Sequence, residues 1–172
     1  MEQSSGPTIM RIVTVVGSKK GGKTTVVCRL VEQLKASGYK VATVKFFERA
    51  GSIDVSDKET ELYRRAGSDL TIASGVSETA VLKRVDKRED LTRLLGYVPS
   101  DADFVICEGV TDEGYHRIVA VREPSDVDKF VNKDTFVISG VVASKPFRHR
   151  LPIIDVTVNP EQLAELVKSL DR

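Results

Sequence analysis

The run Gly17-Ser18-Lys19-Lys20-Gly21-Gly22-Lys23-Thr24 constrains this chain more than any other stretch. It fits G-x-x-x-x-G-K-[ST] without a gap, a loop whose backbone N–H groups turn inward around phosphate oxygens. The helix that follows such a loop adds the positive end of its dipole. In this pattern Lys23 reaches the β- and γ-phosphates, and the Thr24 hydroxyl takes Mg2+. From average composition, a chance match in a chain this long is on the order of one in two hundred. The flanks supply the context the motif requires. Ile9 to Val16 is almost continuously apolar, as in a strand covered on both faces. Val26, Val27, Leu30, Val31 and Leu34 then mark an amphipathic helix, closed by Ser37-Gly38. The expected nucleotide-binding residues are therefore Gly17, Ser18, Lys19, Lys20, Gly21, Gly22, Lys23, Thr24 and Thr25. For Lys19 and Lys20, a charge near phosphate and a plain solvated lysine are both open.

The remaining chain alternates strand and helix signals. Lys40 to Phe46, Leu70 to Ala73, Thr79 to Leu82, Phe104 to Cys107, Arg117 to Val121, Thr135 to Ser139 and Ile153 to Val158 read as strands. Asp57 to Arg65, ended by Gly67, and Arg88 to Leu95 read as helices, and Asn159-Pro160-Glu161 starts a last one. This order predicts an α/β, three-layer P-loop NTPase fold with a mostly parallel central sheet and some antiparallel edge strands. Residues 1–8 read as a disordered lead-in without a signal core, and residues 9–172 as a single P-loop nucleotide-binding domain. At 172 residues the chain is long enough for a core that needs no metal or disulfide staple.

Charge and cysteine content narrow the function classes. Lys+Arg at 26 against Asp+Glu at 25 removes the bulk electrostatic argument for nucleic-acid or membrane binding. Cys28 and Cys107, the only two cysteines, both lie in apolar runs and read as buried thiols of a cytoplasmic protein. No apolar stretch approaches the ~18 residues of a membrane span.

A phosphate loop needs a carboxylate near its Mg2+, at the end of a buried strand. Phe104-Val105-Ile106-Cys107-Glu108-Gly109 offers Glu108 there, while Asp103 stands at the wrong end. Lys23 and Glu108 are thus the candidate catalytic residues, with Thr24, Glu108 and Asp54 as candidate metal ligands. Asp54 follows the second strand, where related switches sense the γ-phosphate; Asp57 and Thr60 are its rivals. Asn132-Lys133-Asp134 mimics a guanine-reading motif but is a residue short and precedes a strand. Val142 to Lys145 is the better placed segment to read the base. His116 and His149 have no Cys or His at ligand spacing and read as surface residues.

Taken together, these residues resemble the molybdopterin-guanine dinucleotide biosynthesis protein B (MobB) family. The resemblance runs from Met10 to the last helix. It is carried by Gly17 to Thr25, Val44-Lys45 leading to Asp54, and Leu62-Tyr63-Arg64-Arg65-Ala66-Gly67-Ser68. It continues through Thr71-Ile72-Ala73-Ser74, Val105-Ile106-Cys107-Glu108-Gly109 and Arg117 to Val121. Where the family commonly carries histidines after the second-strand lysine, this chain has Phe46-Phe47-Glu48-Arg49. The resemblance implies a GTP- and Mg2+-binding homodimer in molybdenum-cofactor maturation. It would be at most a slow GTPase, serving the molybdopterin guanylyltransferase. The same scaffold also suits an ATP-dependent small-molecule kinase or carboxylate-activating synthetase, or a nucleotide-gated dimeric scaffold without useful catalysis.

Overall fold

The structure, a computed structural model, describes residues 10–47 and 58–171. Asp54, Asp57 and the lead-in at residues 1–8 lie outside the described residues. What is described falls into two compact units, residues 10–47 with 94–171 and residues 58–93.

The first unit is built on five parallel strands: β1 (Arg11–Val16), β2 (Val41–Lys45), and, beyond the second unit's β3 and β4 given below, β5 (Phe104–Glu108), β6 (His116–Ala120) and β7 (Thr135–Ser139). Their spatial order is β2-β5-β1-β6-β7. The near-continuous apolar runs have their reason in this arrangement, because side chains of successive residues enter two different cores. Val13, Val15, Phe104, Ile106, Ile118, Ala120 and Val137 face α1 (Lys23–Ala36) and α4 (Pro160–Lys168). Val16, Val119, Val121 and Ile138 face the opposite way, under the 3-10 turn Pro124–Lys129 and the residues Phe147, Leu151 and Ile153.

Helix α1 presents Val26, Leu30 and Leu34 to the first core, all fully buried. Cys28 lies between members of that stripe and is exposed, contrary to the expectation of two buried thiols. An apolar neighbourhood in sequence does not place a residue on the apolar face when the period is 3.6. The helix stops where Gly38 N–H donates to Lys35 O at 3.0 Å and Tyr39 N–H to Leu34 O at 3.1 Å, the paired bonds of a Schellman ending.

Two expected elements differ. Ile153 to Val158 is not a strand. Ile138 N–H donates to Pro152 O and Ile154 N–H to Ile138 O, a single bridge. Asp155 then diverts the backbone: its carboxylate accepts Thr157 N–H at 2.9 Å, and its carbonyl accepts Asn159 N–H at 2.8 Å. A local Asx turn thus takes the groups that a ladder would have used. The helix expected over Arg88 to Leu95 shrinks to α3 (Leu91–Leu95), since the Asp90 carboxylate accepts Arg93 N–H at 2.8 Å and sets the start later. Asn159 occupies the N-cap position of α4 without a side-chain capping bond.

The second unit contains α2 (Lys58–Arg65) and the antiparallel pair β3 (Leu70–Ser74) and β4 (Thr79–Lys83). The antiparallel strands therefore form a ribbon of their own, and the central sheet is parallel throughout. Glu61 bonds both Arg64 and Arg65 along α2. On the ribbon, Ile72 stands opposite Val81, and both are exposed, as is Leu70.

Replacing Leu30 by Ala removes a fully buried side chain from beneath the sheet. Its expected cost is about 2–5 kcal/mol in urea unfolding, against about 0.5 kcal/mol or less for Cys28→Ala on the solvent face.

Candidate functional site

The glycine loop leaves β1 and enters α1 between the C-terminal ends of β6 and β7. Its backbone lies so close to them that side chains have no room. A Cβ on Gly17, at φ +146°, would stand 1.8 Å from Ala120 O. Across the loop, a Cβ on Gly140, at φ +79°, would stand 2.1 Å from Gly21 O. Hydrogen bonds complete the seat. Gly21 N–H donates to Ser18 O, Val141 N–H donates to Gly21 O, and Arg122 N–H donates to Ser18 Oγ at 3.2 Å. Within the turn Lys20 takes φ 59°, an uncommon conformation for a residue with a side chain. Lys19 and Lys20 are both exposed at its tip.

Gly22 is the N-cap of α1, with no side-chain capping bond and no acid in the first turn. The first N–H groups of the helix, at Lys23, Thr24 and Thr25, thus have no intrahelical acceptor. Lys23 curls back over the loop, its Nζ donating to Gly17 O and Ser18 O at 2.9 Å each. Thr24 points the other way. Its hydroxyl lies 3.1 Å and 3.3 Å from the two Glu108 carboxylate oxygens, 84 residues away in the chain.

Glu108 ends β5, and the registers β1–β5 and β2–β5 place it level with Val15 on one side and Lys45 on the other. Its side chain is 12% exposed, and Lys45 Nζ stands 3.5 Å from Oε1. Directly before it, Cys107 is fully buried, and burial alone pushes its thiol pKa up to about 12. That thiol is inert at neutral pH. The cluster of one carboxylate, one hydroxyl and the free end of a helix can hold a hard divalent cation and a polyphosphate together. Hard cations of this kind prefer oxygen ligands and keep several waters or phosphate oxygens. Among the described residues, no three His, Cys, Asp or Glu side chains converge to hold a metal ion, here or elsewhere.

Of the remaining candidates, Val142 to Lys145 lies beside the loop. It falls largely in the 3-10 turn Val141–Ser144, with Val142 N–H bonded to Val121 O and Lys145 Nζ 2.6 Å from Glu123. Thr60 is buried in α2 of the second unit. Asn132-Lys133-Asp134 forms a turn at the start of β7, where Asp134 accepts Gly114 N–H, at the far end of the strands from the loop. The two histidines are more engaged than surface residues would be. His116 Nε2 meets Asp171 O at 3.0 Å, and His149 stacks on Phe147 with its side chain 15% exposed.

Sequence reasoning missed three contributors. Gly140 follows a strand rather than a motif, so no pattern announces that it packs on the loop. Lys45 acquires meaning only from the β2–β5 register. Arg117 is 6% exposed, and its Nη2 donates to Thr111 O at 2.8 Å and Asp112 O at 3.0 Å. It braces the segment leading away from Glu108, and its Nε has no partner among the described residues. A lone arginine inside an apolar strand was the available signal.

Similarity to known proteins assigns the chain to a family. The family model for molybdopterin guanine dinucleotide synthesis protein B, MobB, matches residues 12–144. This chain belongs to the MobB family. A relative from Bacillus subtilis, described as a probable molybdopterin-guanine dinucleotide biosynthesis adapter protein, is 31% identical over 121 residues, 68% of each chain. A putative adapter protein of the same description from Methanocaldococcus jannaschii is 36% identical over 103 residues, 58% of this chain and 41% of that one. The chain thus spans less than half of the length of the archaeal relative. The crystal structure of Bacillus subtilis MobB superposes with a TM-score of 0.75 at 26% identity, covering 93% of this chain and 99% of that chain.

Gly140→Ala tests the seat of the loop. Among the described residues nothing lies within 4 Å of a Cβ on Gly38, also at positive φ, so Gly38→Ala measures backbone strain without a clash. That strain is expected to cost about 1–2 kcal/mol. Gly140→Ala adds the clash with Gly21 O and should lower the denaturant midpoint clearly further.

Proposed function

We propose that this chain is a GTP-binding accessory protein of molybdopterin guanine dinucleotide synthesis, serving a molybdopterin guanylyltransferase in the cytoplasm. The observation that carries the reading is the meeting of Thr24 with Glu108 at the foot of an uncapped helix, beside a loop lysine whose Nζ holds the Gly17 and Ser18 carbonyls. Family membership and the adapter descriptions of the relatives supply the pathway. Both units are read as parts of one nucleotide-binding domain over residues 9–172.

Gly17 to Thr25 would wrap the phosphates with backbone N–H groups, and Lys23 would exchange Gly17 O and Ser18 O for phosphate oxygens. Thr24 and Glu108 fit Mg2+, which would neutralise phosphate charge when bound; Asp54 is proposed as a further ligand on the strength of its place in the chain. Lys23 and the loop N–H groups would stabilise developing charge electrostatically. Glu108 is already engaged with Thr24 and Lys45, so it is a poor base for activating water, and slow hydrolysis at most is expected. Both cysteines are free thiols, in keeping with a reducing compartment. Among the described residues, no helix is long and apolar enough to cross a membrane.

Calorimetric titration with GTP and with ATP, each with Mg2+, tests this reading. GTP is expected to bind well above ATP, and Lys23→Ala to abolish binding. A preference for ATP would instead favour the kinase or synthetase.

The same reading includes a homodimer, and the exposed apolar side chains Leu70, Ile72 and Val81 of the ribbon support it. Such a cluster on a two-stranded sheet is a surface that water disfavours. Sedimentation should show a dimer. The double variant Ile72→Asp, Val81→Lys should shift it to monomer while Cys28→Ala leaves it intact.

A further inference from the structure

Among the described residues Glu108 has two side-chain partners, Thr24 and Lys45, and only Thr24 belongs to the phosphate-loop motif. The second, Lys45, is fixed by strand register. Lys45 is paired with Glu108 across β2 and β5, and Phe46 N–H donates to Glu108 O at 2.9 Å directly beyond it. The backbones close so tightly here that a Cβ on Gly109 would stand 2.9 Å from Phe46 O. The base of Lys45 therefore cannot drift from Glu108, and only the long side chain can. In this structure that side chain lies within reach of two groups that favour a cation. Its Nζ is 3.5 Å from Glu108 Oε1, and at the same time 5.6 Å from the centre of the Phe47 ring. A cation over an aromatic face keeps part of its stabilisation without a carboxylate. Phe47 is exposed, and so is about half of the Lys45 side chain, so no packing holds the ammonium against the carboxylate rather than the ring.

We propose that Lys45 is the resident counter-ion of Glu108 in the nucleotide-free protein, and that a divalent cation arriving with nucleotide displaces it toward the Phe47 ring. This rests on the reading of Thr24 and Glu108 as the cation's oxygen ligands. A carboxylate 12% exposed is costly to leave unpaired, so an ammonium that neutralises it steadies the empty site. A cation held by Glu108 would compete with this ammonium for the carboxylate charge. Lys45 is thus a positioning residue that sets the metal concentration at which the site fills. Phe47 sets how readily the ammonium lets go.

The test is the Mg2+ dependence of nucleotide binding, followed by calorimetry at fixed GTP and, in parallel, fixed ATP. Lys45→Met keeps the aliphatic stem and removes the charge. It should lower the half-saturating Mg2+ concentration by about two- to fivefold, a range set by the strength of partly exposed ion pairs. Phe47→Leu removes the alternative resting place and should raise that concentration about two- to threefold. The nucleotide-free protein gives an independent readout: Lys45→Met should lower its melting temperature, and saturating Mg2+ with nucleotide should abolish the difference. An unchanged or higher Mg2+ requirement in Lys45→Met, with normal wild-type binding, overturns the counter-ion role alone. Weaker nucleotide binding at saturating Mg2+ would make Lys45 a phosphate ligand and overturn it equally. If the wild-type protein shows no Mg2+-dependent binding of either nucleotide, the underlying reading of Thr24 and Glu108 fails first. If Lys45→Met does not fold, the Phe47→Leu shift decides, and its absence counts against the proposal.

Discussion

The close approach of the glycine loop to the ends of β6 and β7 is the constraint on which the rest depends. With Gly17 against Ala120 and Gly21 against Gly140, the loop is seated on main chain rather than on side chains. Main chain held in a parallel sheet moves little, so the loop inherits the rigidity of three strands at once. From that seat follow the position of the first turn of α1, the direction of Thr24, and its meeting with Glu108 one strand away. The apolar alternation that buries Val15 on one face and Val16 on the other sets where β1 ends, and hence where the loop begins.

Much of this was legible in the sequence, for reasons particular to each part. The loop carries a contiguous motif, and a contiguous motif needs no knowledge of topology. Glu108 was readable because strand, acid and glycine follow one another in a single run. The apolar stripe of α1 was readable through its period, although the same period put Cys28 on the solvent side. Failures came where a short-range polar contact outweighed a pattern. Ile153 to Val158 has the composition of a strand, yet Asp155 satisfies its neighbours' backbone locally and ends the pairing after one bridge. Asp90 trimmed a helix in the same manner. Lys45, Gly140 and Arg117 were hidden for a different reason, because each acts across a distance that only strand order reveals.

The site also shows a division of charge. Lys23 spends its ammonium on two carbonyls of its own loop, while Lys45 faces the carboxylate. The two lysines thus have different partners, the loop's own main chain for one and the carboxylate that meets Thr24 for the other. Arg117, farther down β6, holds the chain beyond Glu108 through carbonyl oxygens alone. The carboxylate is therefore steadied from its own strand, from a neighbouring strand and from the crossover that follows it.

The uncapped start of α1 carries a consequence of another kind. A helix whose first N–H groups lack acceptors is locally less stable than its buried stripe suggests, and an anion at that end would complete it. Were an anion to bind there, occupancy and local order would form a single equilibrium, with the first turn tightening as the site fills. Slow exchange of the Lys23 to Thr25 amides would mark the filled state. The missing cap would then make the helix itself the reporter of whether the site is occupied.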